Sequence, residues 1–346
     1  MTAKTKKAFC ESHPNIALIK YWGKANEEKN TPINGSLSVT LDFGTTKTEV
    51  SYSNNSECEF FLNGEQQTLT RRLQTAIDFF GNLSNGMDNS QREHTNFRIS
   101  STNNFPTAAG FASSAAGASA FVGALAGFIG NTEEPISFWS ERNINLSRIA
   151  RQVSGSGCRS IYGGFVEWQP GTDETSISQQ VFNENYWDNF AAISISLHTK
   201  PKKIPSTQGM QHTVKTCPWA MWRANEIVPK RINDAKDFIA KKDFNSLAEI
   251  IMKESNELHA NCAASYPPFY YLKDESRDVI EAIHQLNKKK GRNIATYSFD
   301  AGPNPFIFTE KENLSEVIQM IKSLDLSIEH MTEAKPSSGI RTTIVE

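Results

Sequence analysis

A run of small residues at 106–117 has the composition of a loop that binds phosphate without a basic side chain. The run reads Pro-Thr-Ala-Ala-Gly-Phe-Ala-Ser-Ser-Ala-Ala-Gly, and the Ala-rich segment 113–129 predicts a buried helix. Gly110 permits backbone geometry that a Cβ would forbid, and small side chains leave neighbouring N–H groups uncovered. The first N–H groups of a helix lack internal partners and lie at the positive end of its dipole, so they bind anions. The run is equally consistent with a tightly packed helix entry, and no Gly-Lys-Ser/Thr follows it as in a Walker A loop.

A short apolar strand is predicted near the N-terminus, and it ends in two lysines and two aromatic residues. The segment 15–24 reads Asn-Ile-Ala-Leu-Ile-Lys-Tyr-Trp-Gly-Lys, with Lys20 and Lys24 on either side of the aromatic pair. Bulky aromatics beside a glycine often wall a pocket, and a lysine there meets anions as a point charge. The alternative is a pair of solvated lysines at a strand end.

Two hydroxyl-rich turns carry basic residues. The first, 154–160, reads Ser-Gly-Ser-Gly-Cys-Arg-Ser, and the planar guanidinium of Arg159 suits a carboxylate or a phosphate. The second, 202–206, reads Lys-Lys-Ile-Pro-Ser. The alternatives are a serine-rich turn with a surface arginine and an ordinary solvated loop.

An aspartate stands at the end of an apolar strand in the segment 297–304, Tyr-Ser-Phe-Asp-Ala-Gly-Pro-Asn. The Gly-Pro that follows Asp300 places it where the chain would turn across a cleft. Taken alone, such an aspartate is more often a turn or helix-cap residue than a catalytic group. No His/Asp/Glu set in the sequence has metal-ligand spacing, and there is no Gly-x-Ser-x-Gly elbow.

Hydrophobic periodicity predicts mixed α and β structure around these segments. Helical spacing is found at 69–83 and 144–153, and the polar stretch 82–92 predicts an exposed loop. The sequence 208–290 is rich in helical pattern. Strands or extended segments are predicted at 46–52, 59–66 (with an Asn63-Gly64 hairpin turn), 161–168, 190–197, 294–299 and 305–308, and a last helix at 313–324. Strands and helices without regular βαβ spacing favour an α+β chain of two domains.

Length, charge and cysteine usage limit the class of protein. At 346 residues the chain is long enough for two domains, and a net charge of -2 argues against nucleic acid or a membrane as the main partner. No secretory signal is expected, and no apolar run approaches the length that spans a bilayer. Five scattered cysteines without a Cys-x-x-Cys pair indicate a reducing compartment without disulfides or structural zinc. A soluble cytoplasmic enzyme is expected.

Taken together, the segments resemble the diphosphomevalonate decarboxylases, which belong to the superfamily of galactokinase, homoserine kinase, mevalonate kinase and phosphomevalonate kinase. The resemblance runs from Asn15 to Gly339 and includes the segments 32–41, 161–168 and 337–340. The phosphate loop marks only the superfamily. The lysine–tyrosine–tryptophan segment, the arginine turn and the Asp-Ala-Gly-Pro-Asn segment are specific to the decarboxylases.

The resemblance implies a two-domain small-molecule-kinase fold of α+β class. It implies an N-terminal ribosomal-protein-S5-like α/β domain over 1–192 with the ATP phosphate-binding loop. It also implies a C-terminal ferredoxin-like α+β domain over 193–346 with the catalytic aspartate. The active site would lie in the cleft between them. A homodimer in the cytoplasm, with no nucleic-acid or membrane partner, is implied as well.

The reaction implied by the resemblance is phosphorylation of the 3-hydroxyl of (R)-5-diphosphomevalonate by ATP, followed by loss of phosphate and carbon dioxide. Asp300 then matches the catalytic aspartate at the 3-hydroxyl, as base or orienting group. Lys20 matches a lysine near that aspartate, and Arg159 an arginine that grips the substrate carboxylate. The cofactors implied are ATP and Mg²⁺, the ion being held mainly by phosphate oxygens and water rather than by protein ligands.

Binding residues follow by the same matching. For the substrate these are Tyr21, Lys24, Ser154, Ser156 and Ser206; for the nucleotide they are Ser101, Pro106, Gly110, Ala112, Ser113 and Ser114. Two departures from the family pattern are small: Gly35 stands where a serine is common, and Gly157 where an alanine is common. Both put fine substrate placement in doubt rather than the reaction.

The sequence is compatible with two further classes of function. A related phosphotransferase could stop after 3-phosphorylation or decarboxylate the monophosphate. The first version is disfavoured because the Lys20, Arg159 and Asp300 set is complete, and the second depends on how many groups meet the terminal phosphate. A non-catalytic binding protein of the same fold should have lost catalytic residues, and none is lost here.

Overall fold

The structure is a computed structural model that describes residues 6–53, 55–87, 96–105, 113–197 and 203–346. The strands are β1 (Lys7–Ser12), β2 (Asn15–Ile19), β3 (Lys24–Asn26), β4 (Thr31–Pro32), β5 (Ser36–Thr40), β6 (Thr46–Tyr52), β7 (Glu59–Leu62), β8 (Glu65–Gln67), β9 (Phe97–Asn103), β10 (Phe165–Trp168), β11 (Ser178–Phe182), β12 (Phe190–Ser196), β13 (Ala295–Phe299), β14 (Pro305–Glu310), β15 (His330–Ala334) and β16 (Arg341–Val345). The helices are α1 (Arg71–Met87), α2 (Ser113–Gly130), α3 (Pro135–Ser140), α4 (Leu146–Val153), α5 (Gly157–Ser160), α6 (Ser206–Thr216), α7 (Ala220–Trp222), a π-helical turn (Arg223–Ile227), α8 (Val228–Lys241), α9 (Phe244–Ala264), α10 (Asp274–Lys290) and α11 (Lys311–Lys322).

The N-terminal half is built on a sheet with the strand order β16-β1-β6-β9-β7-β8 among the described residues. Helix α2 lies directly on this sheet because its small residues allow close approach. A Cβ added at Gly127 would come within 2.4 Å of the Thr342 side chain, and one at Gly123 within 2.5 Å of Cys10 Sγ. The helix is therefore buried on nearly all sides, as an Ala- and Gly-rich apolar segment must be in water.

Helix α2 is long and apolar enough to cross a bilayer by length and composition, and 72% of it is buried inside the structure. The expectation that no apolar run approaches bilayer-spanning length was therefore wrong. A helix of small apolar residues can either span a membrane or lie at the centre of a folded core. Here the sheet covers the helix.

Two further sheets meet at the cleft. One has the order β11-β10-β5-β2, and the other has the order β13-β14-β12-β15. The Ser298 hydroxyl of β13 donates a hydrogen bond to the carbonyl oxygen of Ala17 in β2 at 3.1 Å, so the two sheets touch at these strands. Helix α9 covers both strands. Lys20 and Asp300 therefore follow strands that end side by side.

Most of the expected elements are confirmed, including the strand at 46–52, the hairpin after β7 and the buried helix from residue 113. The exposed loop predicted over 82–92 is wrong for residues 82–87, because helix α1 continues to Met87 through polar residues. Residues 88–92 lie outside the described residues. The strand predicted over 161–168 begins only at Phe165, since Gly164 with φ +66° turns the chain before it.

The predicted domain boundary between 192 and 193 stays a prediction. Residue 192 lies inside β12, which pairs with β14 and β15 on its two sides. At the other end of the chain, β16 pairs with β1 and so returns to the N-terminal sheet. The chain therefore crosses between the two halves more than once.

Candidate active site

A cavity of about 640 Å³ lies where the ends of β2 and β13 meet the turn between α4 and α5 and the start of α6. It brings together ten of the residues predicted from the sequence, which are far apart in the chain. These are Lys20, Tyr21, Lys24, Ser113, Ser114, Ser154, Ser156, Arg159, Ser206 and Asp300.

Lys20 and Asp300 form an ion pair at the wall of the cavity. Lys20 Nζ lies 2.6 Å from Asp300 Oδ1; the lysine side chain is 1% exposed and the aspartate side chain 33%. Burial lowers the pKa of Lys20, and the charge of Asp300 opposes part of that shift. A carboxylate held by a buried cation and open to the cavity can accept a proton from a bound hydroxyl group.

Arg159 is held in a fixed plane by two hydrogen bonds from its guanidinium group. Its Nε donates to Asn15 Oδ1 at 2.9 Å, and its Nη1 donates to Ser36 Oγ at 2.7 Å. Among the described residues no acceptor is bound to Nη2, and the side chain lines the cavity. A guanidinium fixed along one edge presents its other donors to an anion with little loss of conformational freedom.

A second part of the cavity favours the binding of an anion, and it is lined by Tyr21, Lys24 and Arg72. The hydroxyl of Tyr21 is buried without a hydrogen-bond partner among the described residues, which is unfavourable unless a ligand supplies one. Burial and then the neighbouring charge of Arg72 lower the pKa of Lys24 to about 8. A bound anion of high charge would relieve both conditions.

Sequence reasoning missed Arg72, which lines the cavity from helix α1. No motif marks it, because an arginine in the first turn of an amphipathic helix has an ordinary context. Only its nearness to Lys24 in space indicates a role.

The glycines of the 154–160 turn allow it to lie close to its neighbours. A Cβ added at Gly155 would lie 3.3 Å from the Tyr21 ring, and one at Gly157 would lie 2.7 Å from Ala118 Cβ on α2. The second distance is too short for real Cβ atoms, so the alanine common in the family could not replace Gly157 without a shift of α2. This departure is explained by packing.

The nucleotide-binding predictions have three different outcomes in space. Ser113 and Ser114 lie at the start of α2 and line the cavity. Pro106, Gly110 and Ala112 lie outside the described residues. Ser101 is not brought to the cavity, because it lies in β9 with its hydroxyl 2.8 Å from Thr48 Oγ1 of the neighbouring strand. Its predicted nucleotide contact has no support from this position.

Known proteins of a single family match most of this chain. Two family models match: the diphosphomevalonate decarboxylase-like N-terminal domain over 12–179, and the mevalonate 5-diphosphate decarboxylase C-terminal domain over 192–342. The diphosphomevalonate decarboxylase of Debaryomyces hansenii is 41% identical over 319 residues, which is 89% of this chain and 80% of the relative. The chain belongs to the diphosphomevalonate decarboxylase family. The human diphosphomevalonate decarboxylase is 38% identical over 326 residues, 90% of this chain and 79% of the relative.

Solved structures of the decarboxylase family confirm the α+β fold. The mevalonate diphosphate decarboxylase from Staphylococcus aureus is 33% identical, has a TM-score of 0.84 and is covered over 100% of both chains. A complex of MDDEF with MVAPP, AMPPCP and magnesium is 34% identical with a TM-score of 0.83, covering 99% of this chain and 100% of that chain. The family resemblance expected from the sequence is thus confirmed.

Proposed function

We propose that this chain catalyses the ATP-dependent decarboxylation of (R)-5-diphosphomevalonate to isopentenyl diphosphate, ADP, phosphate and carbon dioxide, a step of the mevalonate pathway of isoprenoid biosynthesis. The observation that carries the proposal is the Lys20–Asp300 pair at 2.6 Å in the same cavity as the fixed guanidinium of Arg159. The first two groups suit transfer of a phosphoryl group to a hydroxyl, and the third suits a carboxylate.

Asp300 is proposed to act at the 3-hydroxyl group. Its carboxylate accepts the hydroxyl proton, or orients the hydroxyl, as the oxygen attacks the γ-phosphorus of ATP. Lys20 pairs with Asp300 at 2.6 Å and can neutralise charge on the transferring phosphoryl group. Both groups are held by β2 and β13, which touch through Ser298, so little reorganisation is needed when substrate binds.

Arg159 is proposed to hold the substrate carboxylate while the carbon–carbon bond breaks. After the C3–O bond breaks and phosphate leaves, the electrons of the bond between the carboxylate carbon and C2 form the C2–C3 double bond, and carbon dioxide departs. The Asp300 carboxylate also stabilises positive charge that develops at C3. Fixed donors on Arg159 keep the breaking bond aligned with C3.

The phosphate groups are proposed to bind at two ends of the cavity. Tyr21, Lys24, Ser154, Ser156 and Ser206, with Arg72 added from the geometry, would receive the diphosphate and the body of the substrate. Ser113 and Ser114, at the N-terminus of α2, would receive the ATP phosphates. Mg²⁺ would neutralise charge on the phosphate oxygens, and the serine hydroxyls at the start of α2 fit a phosphate-bound ion.

A coupled assay with mevalonate, 5-phosphomevalonate and 5-diphosphomevalonate, with ADP and carbon dioxide measured together, tests the proposed function. The diphosphate is expected to be the substrate, because Lys24 and Arg72 both line the cavity and can bind two phosphate groups. It should give ADP and carbon dioxide in equal amounts. ADP without carbon dioxide would replace the decarboxylase with a 3-kinase. Carbon dioxide mainly from the monophosphate would move the activity to that substrate.

Substrate affinity is expected to fall as the pH rises above about 8, the pKa to which burial and Arg72 lower Lys24. Below that pH Lys24 is charged in the free enzyme and attracts the diphosphate. Above it the lysine is neutral, so binding must take up a proton and becomes weaker with each further unit of pH. The fall of kcat/KM above pH about 8, which is the alkaline limb of its pH profile, measures this effect.

A Lys24→Arg variant provides the control for the pH limb, since arginine remains charged over this range. The fall in kcat/KM should then move to higher pH. An unchanged limb in Lys24→Arg would assign the titration to another group.

Three further features are proposed. We propose that the chain divides into two domains after residue 192, and calorimetric unfolding tests the division, since two domains should give two transitions. A homodimer is proposed from the family resemblance, and large exposed apolar side chains that a subunit contact could cover support it: Trp219, Met221, Trp222, Tyr266 and Tyr270. Sedimentation of the purified chain measures its mass.

A cytoplasmic location is supported by five free cysteines and is tested by cell fractionation.

A further inference from the structure

Helix α9 carries two neighbouring polar residues that are fully buried, Glu254 and Ser255. Neither lines the cavity. Burying a carboxylate and a hydroxyl inside a protein is unfavourable unless each has hydrogen-bond partners. Their partners therefore indicate why they lie there.

Glu254 holds the backbone of Lys20. Its Oε2 accepts a hydrogen bond from the Lys20 N–H at 2.9 Å, just after β2 has ended. The carbonyl oxygen of Lys20 accepts from Asn34 Nδ2 at 2.9 Å. Side chains thus fix both polar groups of the Lys20 main chain, and this fixes the direction in which the lysine side chain leaves.

The charge of Glu254 is balanced by two arginines that do not line the cavity. Arg223 Nη2 lies 2.5 Å from Oε2, and Arg231 Nη1 lies 2.6 Å from Oε1. A buried carboxylate with charged partners on both oxygens is held rigidly, because moving it would leave a charge unpaired. Glu254 is therefore a fixed point to which the Lys20 segment is attached.

Ser255 holds the other segment. Its hydroxyl accepts a hydrogen bond from the backbone N–H of Phe299 at 2.9 Å, and Phe299 is the last residue of β13 and directly precedes Asp300. Adjacent residues of one helix therefore fix the chain at Lys20 and the chain next to Asp300. Lys20 and Asp300 are 280 residues apart in sequence.

We propose that Glu254 and Ser255 are positioning residues, which set the distance between Lys20 and Asp300 by anchoring both segments to helix α9. The proposal rests on the proposed function, in which this ion pair acts at the 3-hydroxyl. Because both anchors lie on the same turn of a 21-residue helix, their relative position is as constant as the helix itself.

The first test compares Glu254→Gln with Glu257→Gln in the full-length enzyme. Glu257 pairs with the same arginines, at 2.5 Å from Arg231 Nη2 and 3.6 Å from Arg223 Nε, but it does not bond to Lys20. Misplacement of reacting groups lowers the rate without weakening binding, so kcat of Glu254→Gln should fall about 10- to 100-fold while KM for both substrates stays unchanged. Glu257→Gln should keep the wild-type kcat. Equal losses in both variants, or a wild-type kcat in Glu254→Gln, would overturn the proposal.

If Glu254→Gln does not fold, Ser255→Ala tests the proposal instead. The Ser255→Ala substitution removes one hydroxyl and leaves no buried charge unpaired. Its kcat should fall about tenfold with KM unchanged. Ser265→Ala, which removes another buried hydroxyl at the end of α9 bonded to Asn261 and Thr213, is the matched control with normal kcat. A wild-type kcat in Ser255→Ala would contradict the proposal.

A crystal structure of Ser255→Ala separates failure of this inference from failure of the proposed function. The distance from Lys20 Nζ to Asp300 Oδ1 should lengthen from 2.6 Å beyond hydrogen-bond range. An unchanged distance would overturn the positioning role whatever reaction the enzyme catalyses. Absence of carbon dioxide release by the wild type, with the distance changed in the variant, would overturn only the proposed function.

Discussion

Asp300→Asn is expected to abolish measurable carbon dioxide release from 5-diphosphomevalonate while nucleotide binding is largely retained. The amide of asparagine has nearly the shape of the carboxylate but cannot accept the 3-hydroxyl proton. It also removes the negative charge that faces the buried ammonium of Lys20 at 2.6 Å. Loss of a general base and of an opposite charge together should lower kcat by at least about 10³-fold. Carbon dioxide release and ADP formation, measured with calorimetric ATP binding, check this.

Asp325→Asn is a matched control for Asp300→Asn, because Asp325 is exposed and does not line the cavity. It should keep the wild-type rate. Asp300→Ala should behave like Asp300→Asn, since neither side chain accepts a proton. Substantial carbon dioxide release in either variant would remove Asp300 from the catalytic role.

The cavity shows which parts of the site could be predicted from the sequence. Lys20, Arg159 and Asp300 stand in short segments whose residue types indicate chemistry, and the family resemblance gave each a role. The sequence pattern also predicted β2 and β13, the strands that carry Lys20 and Asp300 at their ends. A short apolar run is a local property of the sequence, so a strand and its end can be predicted without the rest of the fold.

The contacts that complete the site could not be predicted in the same way. Arg72 reaches the cavity from a helix with no motif, and Glu254 and Ser255 occupy positions on α9 that any buried helix could have. Their importance depends on tertiary contacts, such as the bond from the Lys20 N–H to Glu254 across 234 residues. The pattern likewise missed that α1 continues to Met87, because helical hydrogen bonding overrode the polar composition that predicted a loop.

The geometry of Arg159 makes the substitution Arg159→Lys informative, since it keeps the charge and removes the fork. The guanidinium donates hydrogen bonds from Nε to Asn15 and from Nη1 to Ser36. These bonds fix the plane in which the remaining donors face the cavity. A lysine has one nitrogen on a flexible stem, so it cannot bond to both anchors and also align a carboxylate. The positive charge in the cavity would be preserved, and the orientation of the carboxylate would be lost.

Arg159→Lys is therefore expected to lower kcat for carbon dioxide release by about 10²-fold, with a smaller effect on ATP binding. Decarboxylation requires the breaking bond to be aligned with C3, whereas phosphoryl transfer requires only the hydroxyl at Asp300. The ratio of carbon dioxide to ADP should then fall below that of the wild type, which simultaneous measurement of both products detects. Arg148→Lys, on α4 and outside the cavity lining, is the control and should keep both rates. Wild-type kcat in Arg159→Lys would show that charge, rather than the fixed fork, is what this position supplies.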